Sequence, residues 1–178
     1  TPVSAPSPLL AQMIASLSGV LDEPLVGITS DGTIRPGLFP FTPTGASTAP
    51  VLEAAQRLLG ELDAESRQRL VFPLDAPEKR SWFNIHPNVF RHGLLLEDLT
   101  PAQRRAALDV MAASLSPDAY LKAREVMRLN GYLVGLTGKT EDFGEWPYFF
   151  SLFGNPSADE PWGWQLDGHH LNLNALVL

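Results

Sequence analysis

The chain has 178 residues, of which 44% are hydrophobic and 19% charged, and 13 basic against 20 acidic residues leave a net charge of −7. Length and composition suit one globular domain over 1–178, or the N-terminal part of a larger one, and exclude extensive disorder. The acidic balance argues against nucleic acid as a partner, no apolar run approaches a membrane span, and the absence of cysteine excludes thiol chemistry, disulfides and Cys-based zinc sites.

In chain order, residues 1–8 are rich in Pro and Ser and read as a flexible end. They fit the start of a mature protein whose signal peptide has been removed, hence a secreted or periplasmic one; a chain trimmed at a flexible end fits equally well. Ser7-Pro8 opens a helix over Leu9–Leu17, Ser or Thr before Pro being the pattern of an N-cap with proline at the first helical position. Ser30-Asp31-Gly32-Thr33 reads as a hairpin turn between Leu25–Thr29 and Thr33–Arg35. Helices follow over Pro50–Leu59 and, after the cap Asp63, over Ala64–Leu70. Thr100-Pro101, with Gln103 completing a capping box, opens a helix to about Ser114. Ser116-Pro117 opens the next, which Asn130-Gly131 is expected to stop. Gly138-Lys139-Thr140 has the tail of a phosphate loop, but Leu133 stands where the first glycine is required, so the motif fails.

The final quarter turns to strands, which makes the chain α+β. Asp167-Gly168 signals a two-residue hairpin turn and sets a register in which Leu166 faces His169, Gln165 faces His170 and Trp164 faces Leu171. Alternation then puts Trp162, Trp164, Leu166, His169, Leu171 and Leu173 on one face and Gln165, His170, Asn172 and Asn174 on the other. Asn is disfavoured in strands, so two at alternate positions beside a histidine point to a polar site. Asp167 reads as a turn residue. The alternating segment Leu171–Leu178 wants a partner on its edge, which predicts a hairpin inside a larger sheet completed by missing or separate chain, as in a fragment or a protein processed into two chains.

The candidate chemistry centres on His170 as ligand or general base, with Gln165, Asn172 and Asn174 positioning substrate or an imidazole. Adjacent strand residues point to opposite sides, so His169 and His170 cannot share one metal without a bulge. His86 in extended backbone before Pro87, or His92, would supply a second imidazole if its loop folds over the hairpin; the other reading makes both surface or capping residues. The metal would be zinc, copper or iron, which imidazole suits. Glu141, Asp142 and Glu145 read as a solvated acidic loop rather than as ligands. Hydrolysis is the default reaction class, since no cofactor motif is visible. The rival is a non-catalytic module that binds a carbohydrate or small ligand, with Trp146, Trp162 and Trp164 as platform and Asn and Gln reading hydroxyls; against it, the tryptophans also read as core.

Four stretches carry a resemblance: Arg80-Ser81-Trp82 with Pro87; Gly93-Leu94 to Gln103; Leu115-Ser116; and Tyr148–Pro156 leading into Gly168-His169-His170-Leu171 and Asn174. Over about Leu59 to Asn174 the chain resembles a bacterial and fungal family catalogued as domain of unknown function 3500, with Asp167-Gly168 where members often carry Gly-Gly. The resemblance implies an α+β domain, often in a secreted protein that continues past the His-His strand. It implies no reaction.

Overall fold

The computed structural model describes residues 8–21, 23, 31–33, 35–37, 45–84, 89–140 and 142–178. They form two compact units, Thr1–Ser47 and Thr48–Leu178. In the first, α1 spans Pro8–Leu21, four residues beyond the expected end. The Thr33 amide donates to Asp31 Oδ1 at 3.0 Å and Gly32 takes a φ of 72°, so the chain turns here, but Thr33 and Arg35 are not in a strand. The strand expected over Leu25–Thr29 lies outside the described residues. Among the described residues no helix is long and apolar enough to cross a membrane.

The second unit is α+β. Helices α2 (Ala49–Glu61), α3 (Ala64–Leu70), α4 (Pro101–Ser114) and α5 (Pro117–Thr137) accompany a five-stranded mixed sheet of β1 (Val71–Phe72), β2 (Leu94–Leu95), β3 (Tyr148–Phe153), β4 (Trp162–Gly168) and β5 (Leu171–Val177). The helix starts follow the side-chain chemistry. Asp63 accepts from the Ser66 amide, Ser116 from the Ala119 amide, and Thr100 and Gln103 exchange both capping-box bonds. These caps satisfy amides that a helix N-terminus leaves unpaired.

The helix α5 does not stop at Asn130-Gly131. It continues to Thr137 and ends on Gly138, which adopts the left-handed conformation at φ 70°. Asn130 and Gly131 serve tertiary contacts instead. Asn130 Nδ2 donates to the Gly144 carbonyl at 2.7 Å, and a Cβ on Gly131 would come within 3.2 Å of the Glu145 nitrogen.

Strand β3 is the hub of the sheet. β4 pairs antiparallel along one edge, while β1 (parallel) and β2 (antiparallel) share the other edge end to end. Tyr148, Phe150 and Leu152 of β3 and Trp162, Trp164 and Leu166 of β4 all lie buried in one core with Leu58 of α2, Met111 of α4 and Met127 of α5. Burying each such side chain contributes roughly 1.5–3 kcal/mol. The Trp164 ring stacks on Phe150, and its indole N–H donates to Ser114 Oγ at 2.9 Å, fixing α4 over the sheet. Trp162 and Trp164 are thus core, as the second of their two sequence readings has it.

The hairpin turn lies two residues later than expected, which moves every cross-strand pairing by four residues. Gly168 pairs with Leu171, Asp167 with Asn172, Gln165 with Asn174 and Trp164 with Ala175, so His169 and His170 form the turn. An even shift preserves which face each strand residue occupies, so the polar and apolar sorting survives for the residues that remain in the strands. The positive φ falls on His170, at 57°, rather than on Gly168. Gly168 is needed for a different reason, since a Cβ there would overlap the Tyr148 ring opposite.

Candidate functional site

The sheet face opposite the tryptophans carries Gln165 and Asp167 on β4 with Asn172 and Asn174 on β5, and Lys79, Phe83, Asn84 and His92 meet this hairpin. Phe83 N–H donates to Asp167 Oδ1 at 3.2 Å, Gln165 Nε2 donates to the Lys79 carbonyl at 3.2 Å, and the His170 amide donates to the Asn84 carbonyl at 2.7 Å. Gly93, at φ 84°, lets the chain cross under β3, where a Cβ would overlap the Phe150 carbonyl oxygen and Ser151 Oγ. That crossing delivers His92. Its Nε2 meets Gln165 Oε1 at 2.8 Å, and Ser151 Oγ donates to its carbonyl at 3.3 Å.

The result is a ladder of five side chains. From Gln165, Nε2 donates to Asn174 Oδ1 at 2.6 Å; Asn174 Nδ2 donates to Asn172 Oδ1 at 2.5 Å; Asn172 Nδ2 donates to Asp167 Oδ1 at 2.7 Å. Its direction is forced at one point. The Lys79 carbonyl can only accept, so the Gln165 group facing it is the amide nitrogen, and Gln165 Oε1 is left to accept from His92. Every donor then points toward Asp167, and neutral His92 carries its proton on Nε2. One Asn174 amide hydrogen remains unused among the described residues.

The two titratable ends are both perturbed by burial. Asp167 is only 2% exposed, and loss of solvent raises its pKa to about 6 against the pull of the Asn172 and Phe83 hydrogen bonds. Desolvation lowers the pKa of His92, whose ring clusters with those of Phe72 and Phe153 at 5.7 and 6.2 Å, and this favours the neutral imidazole.

Beside Asn174 opens a cleft of 420 Å³. Leu74, Phe153, Gly163, Ala175 and Leu176 make its apolar walls, and Lys79 and Asn174 supply its polar groups. Gly163 is constrained here as well, because a Cβ would overlap the Ala175 carbonyl oxygen.

Of the sequence candidates, Gln165, Asn172 and Asn174 are brought together. His170 is not among them; it is exposed at the turn, because the turn lies two residues later than expected. His169 stacks on His170 at 4.1 Å and bonds Asn130 Oδ1 through Nδ1 at 2.7 Å, while Tyr148 Oη donates to its carbonyl. His86 lies outside the described residues, as does Glu141. Among the described residues no group of three His, Cys, Asp or Glu side chains is placed to hold a metal ion. Sequence reading missed Asp167, taken for a turn residue, and left open the place of His92, either an imidazole from a loop folded over the hairpin or a surface residue. Moving the turn by two residues was enough to reveal the first; only the Gly93 crossing reveals the second.

A family model described as "Protein of unknown function (DUF3500)" matches residues 44–178. The chain belongs to this family. The match covers α2 through β5 and so includes the ladder, the cleft and segment 79–92. No curated protein and no solved structure matches the chain.

Proposed function

We propose that this DUF3500 domain binds a small molecule in the cleft beside Asn174, and that the ligand offers acceptor oxygens, a carboxylate or a carbonyl, on an apolar body. The observation that carries this reading is the direction of the ladder. It commits Asn174 Oδ1 to Gln165 and one Nδ2 hydrogen to Asn172, so what Asn174 presents is a donor. Lys79 adds another, because its ammonium spends one hydrogen on the Leu74 carbonyl at 3.1 Å. Apolar walls with a few fixed polar groups are the usual make-up of a small-molecule site.

Ligand-observed NMR with monocarboxylates and N-acyl amides of about four to eight carbons is the test. Saturable binders are expected, weakened about tenfold or more by Asn174→Leu and by Lys79→Met, since each removes a hydrogen bond, the second a charged one. Binders indifferent to both substitutions would sink the reading.

A further inference from the structure

On the helical side of the sheet, a groove of 360 Å³ between α4 and α5 is lined by Arg104, Arg105, Arg124 and Arg128, together with Asp109 and Trp146. We propose that it is a binding site for a multiply charged oxyanion, phosphate or carboxylate, on a small soluble molecule.

The charge balance points that way. The chain carries −7 overall and has ten arginines, of which four face this single groove. The carboxylates against them are Asp109 and Glu145, the latter paired with Arg124 at 2.6 Å instead of lying in a solvated loop. Among the side chains that line the groove, four arginines stand against one carboxylate, Asp109. Arg104 is half-buried, yet its partners are the carbonyls of Leu96, Glu97 and Leu99 at 2.7, 3.2 and 3.0 Å, which carry no net charge. Arg105 and Arg128 are exposed and make no ion pair among the described residues. Arg124 and Arg128 stand one helical turn apart, a spacing at which like charges destabilise a helix. A bound anion reverses that sign.

The groove is also held in shape. Both Arg104 and Arg124 stack on the Trp146 ring, with guanidinium carbons 4.5 and 4.6 Å from its centroid. Arg124 Nη1 is further held by Met127 Sδ at 3.1 Å. Two fixed guanidinium groups at the base and two exposed ones at the mouth suit an oxyanion, because the planar fork binds such oxygens in pairs. Fixing the cations beforehand lowers the ordering cost of binding.

The test is calorimetric titration with pyrophosphate and with citrate at constant ionic strength. It compares wild type, Arg105→Gln/Arg128→Gln, and Arg57→Gln/Arg67→Gln as a pair away from the groove. The altered groove residues are exposed, so folding survives, which circular dichroism verifies. Saturable one-site binding is expected, weakened about tenfold or more by the groove pair and unchanged by the distant pair. No saturation up to ~10 mM overturns the proposal, as does equal weakening by both pairs, which marks a diffuse charge effect. Co-sedimentation with phosphatidylserine vesicles in the absence of free-anion binding overturns it too, in favour of a lipid headgroup.

Discussion

Gly93→Ala is expected to destabilise the folded chain by roughly 2–5 kcal/mol, against a total stability on the order of 5–15 kcal/mol. Two costs combine. Gly93 adopts φ 84°, where an L side chain costs about 1–2 kcal/mol. The added methyl would also overlap the Phe150 carbonyl oxygen and Ser151 Oγ. Phe150 sits in β3 between β2 and β4, so its backbone cannot retreat without breaking the pairing of Leu94 with Phe150 or of Leu166 with Phe150. Overpacking of this kind costs roughly 1–3 kcal/mol more. Urea unfolding measures the effect, with Gly135→Ala as comparison. Gly135 lies inside α5 with open space around it, and there alanine is expected to stabilise by ~0.5–1 kcal/mol. If Gly93→Ala costs no more than a surface substitution, the crossing that positions His92 is not as described.

Asp167→Asn is expected to stabilise the protein at neutral pH and to flatten its pH profile. The carboxyl pKa rises from 3.8 to about 6 on folding, chiefly by burial. Between those values the folded chain holds a proton that the unfolded chain has released, so stability falls as pH rises through that window. The difference of about 2 units corresponds to ~3 kcal/mol at pH 7 relative to acid conditions. Asparagine keeps an oxygen to accept from Asn172 and the Phe83 amide while removing the buried charge. Urea midpoints from about pH 4 to pH 7 should therefore drop for wild type relative to the variant, with the variant ahead at pH 7. A constant difference across that range would mean that Asp167 does not titrate there.

Local chemistry made much of the fold legible. Asp63, Thr100 and Ser116 mark helix starts because a capping side chain acts within its own turn. Alternation along 162–166 and 171–174 placed Gln165, Asn172 and Asn174 on one face correctly, since a register slip by an even number of residues, here four, leaves faces unchanged. The two readings that failed share one cause. Asn130-Gly131 and Asp167-Gly168 both look like local stops, and in both the glycine makes room for a distant group, Glu145 in one case and the Tyr148 ring in the other. Their polar neighbours, Asn130 and Asp167, are likewise spent on tertiary hydrogen bonds. The site inherited that limit. The polar face of the hairpin was visible as a pattern, whereas the approach of His92, 73 residues from Gln165 in the chain, depended on how its loop folds and could only be named as a condition.

The position of β3 also sets an order of events during synthesis. The strand that joins β1, β2 and β4 begins at Tyr148, whereas the helix α2 ends at Glu61. At 5–20 residues per second the ribosome needs roughly 5–20 s to pass from one to the other. Helix α4, which ends at Ser114, is complete only in the later part of that interval, and from then until β3 follows, α2 and α4 can shield Leu58, Val110 and Met111 only against each other. Until the sheet closes over them the apolar faces of α2 and α4 lack their final cover, the condition in which a nascent chain is exposed to aggregation.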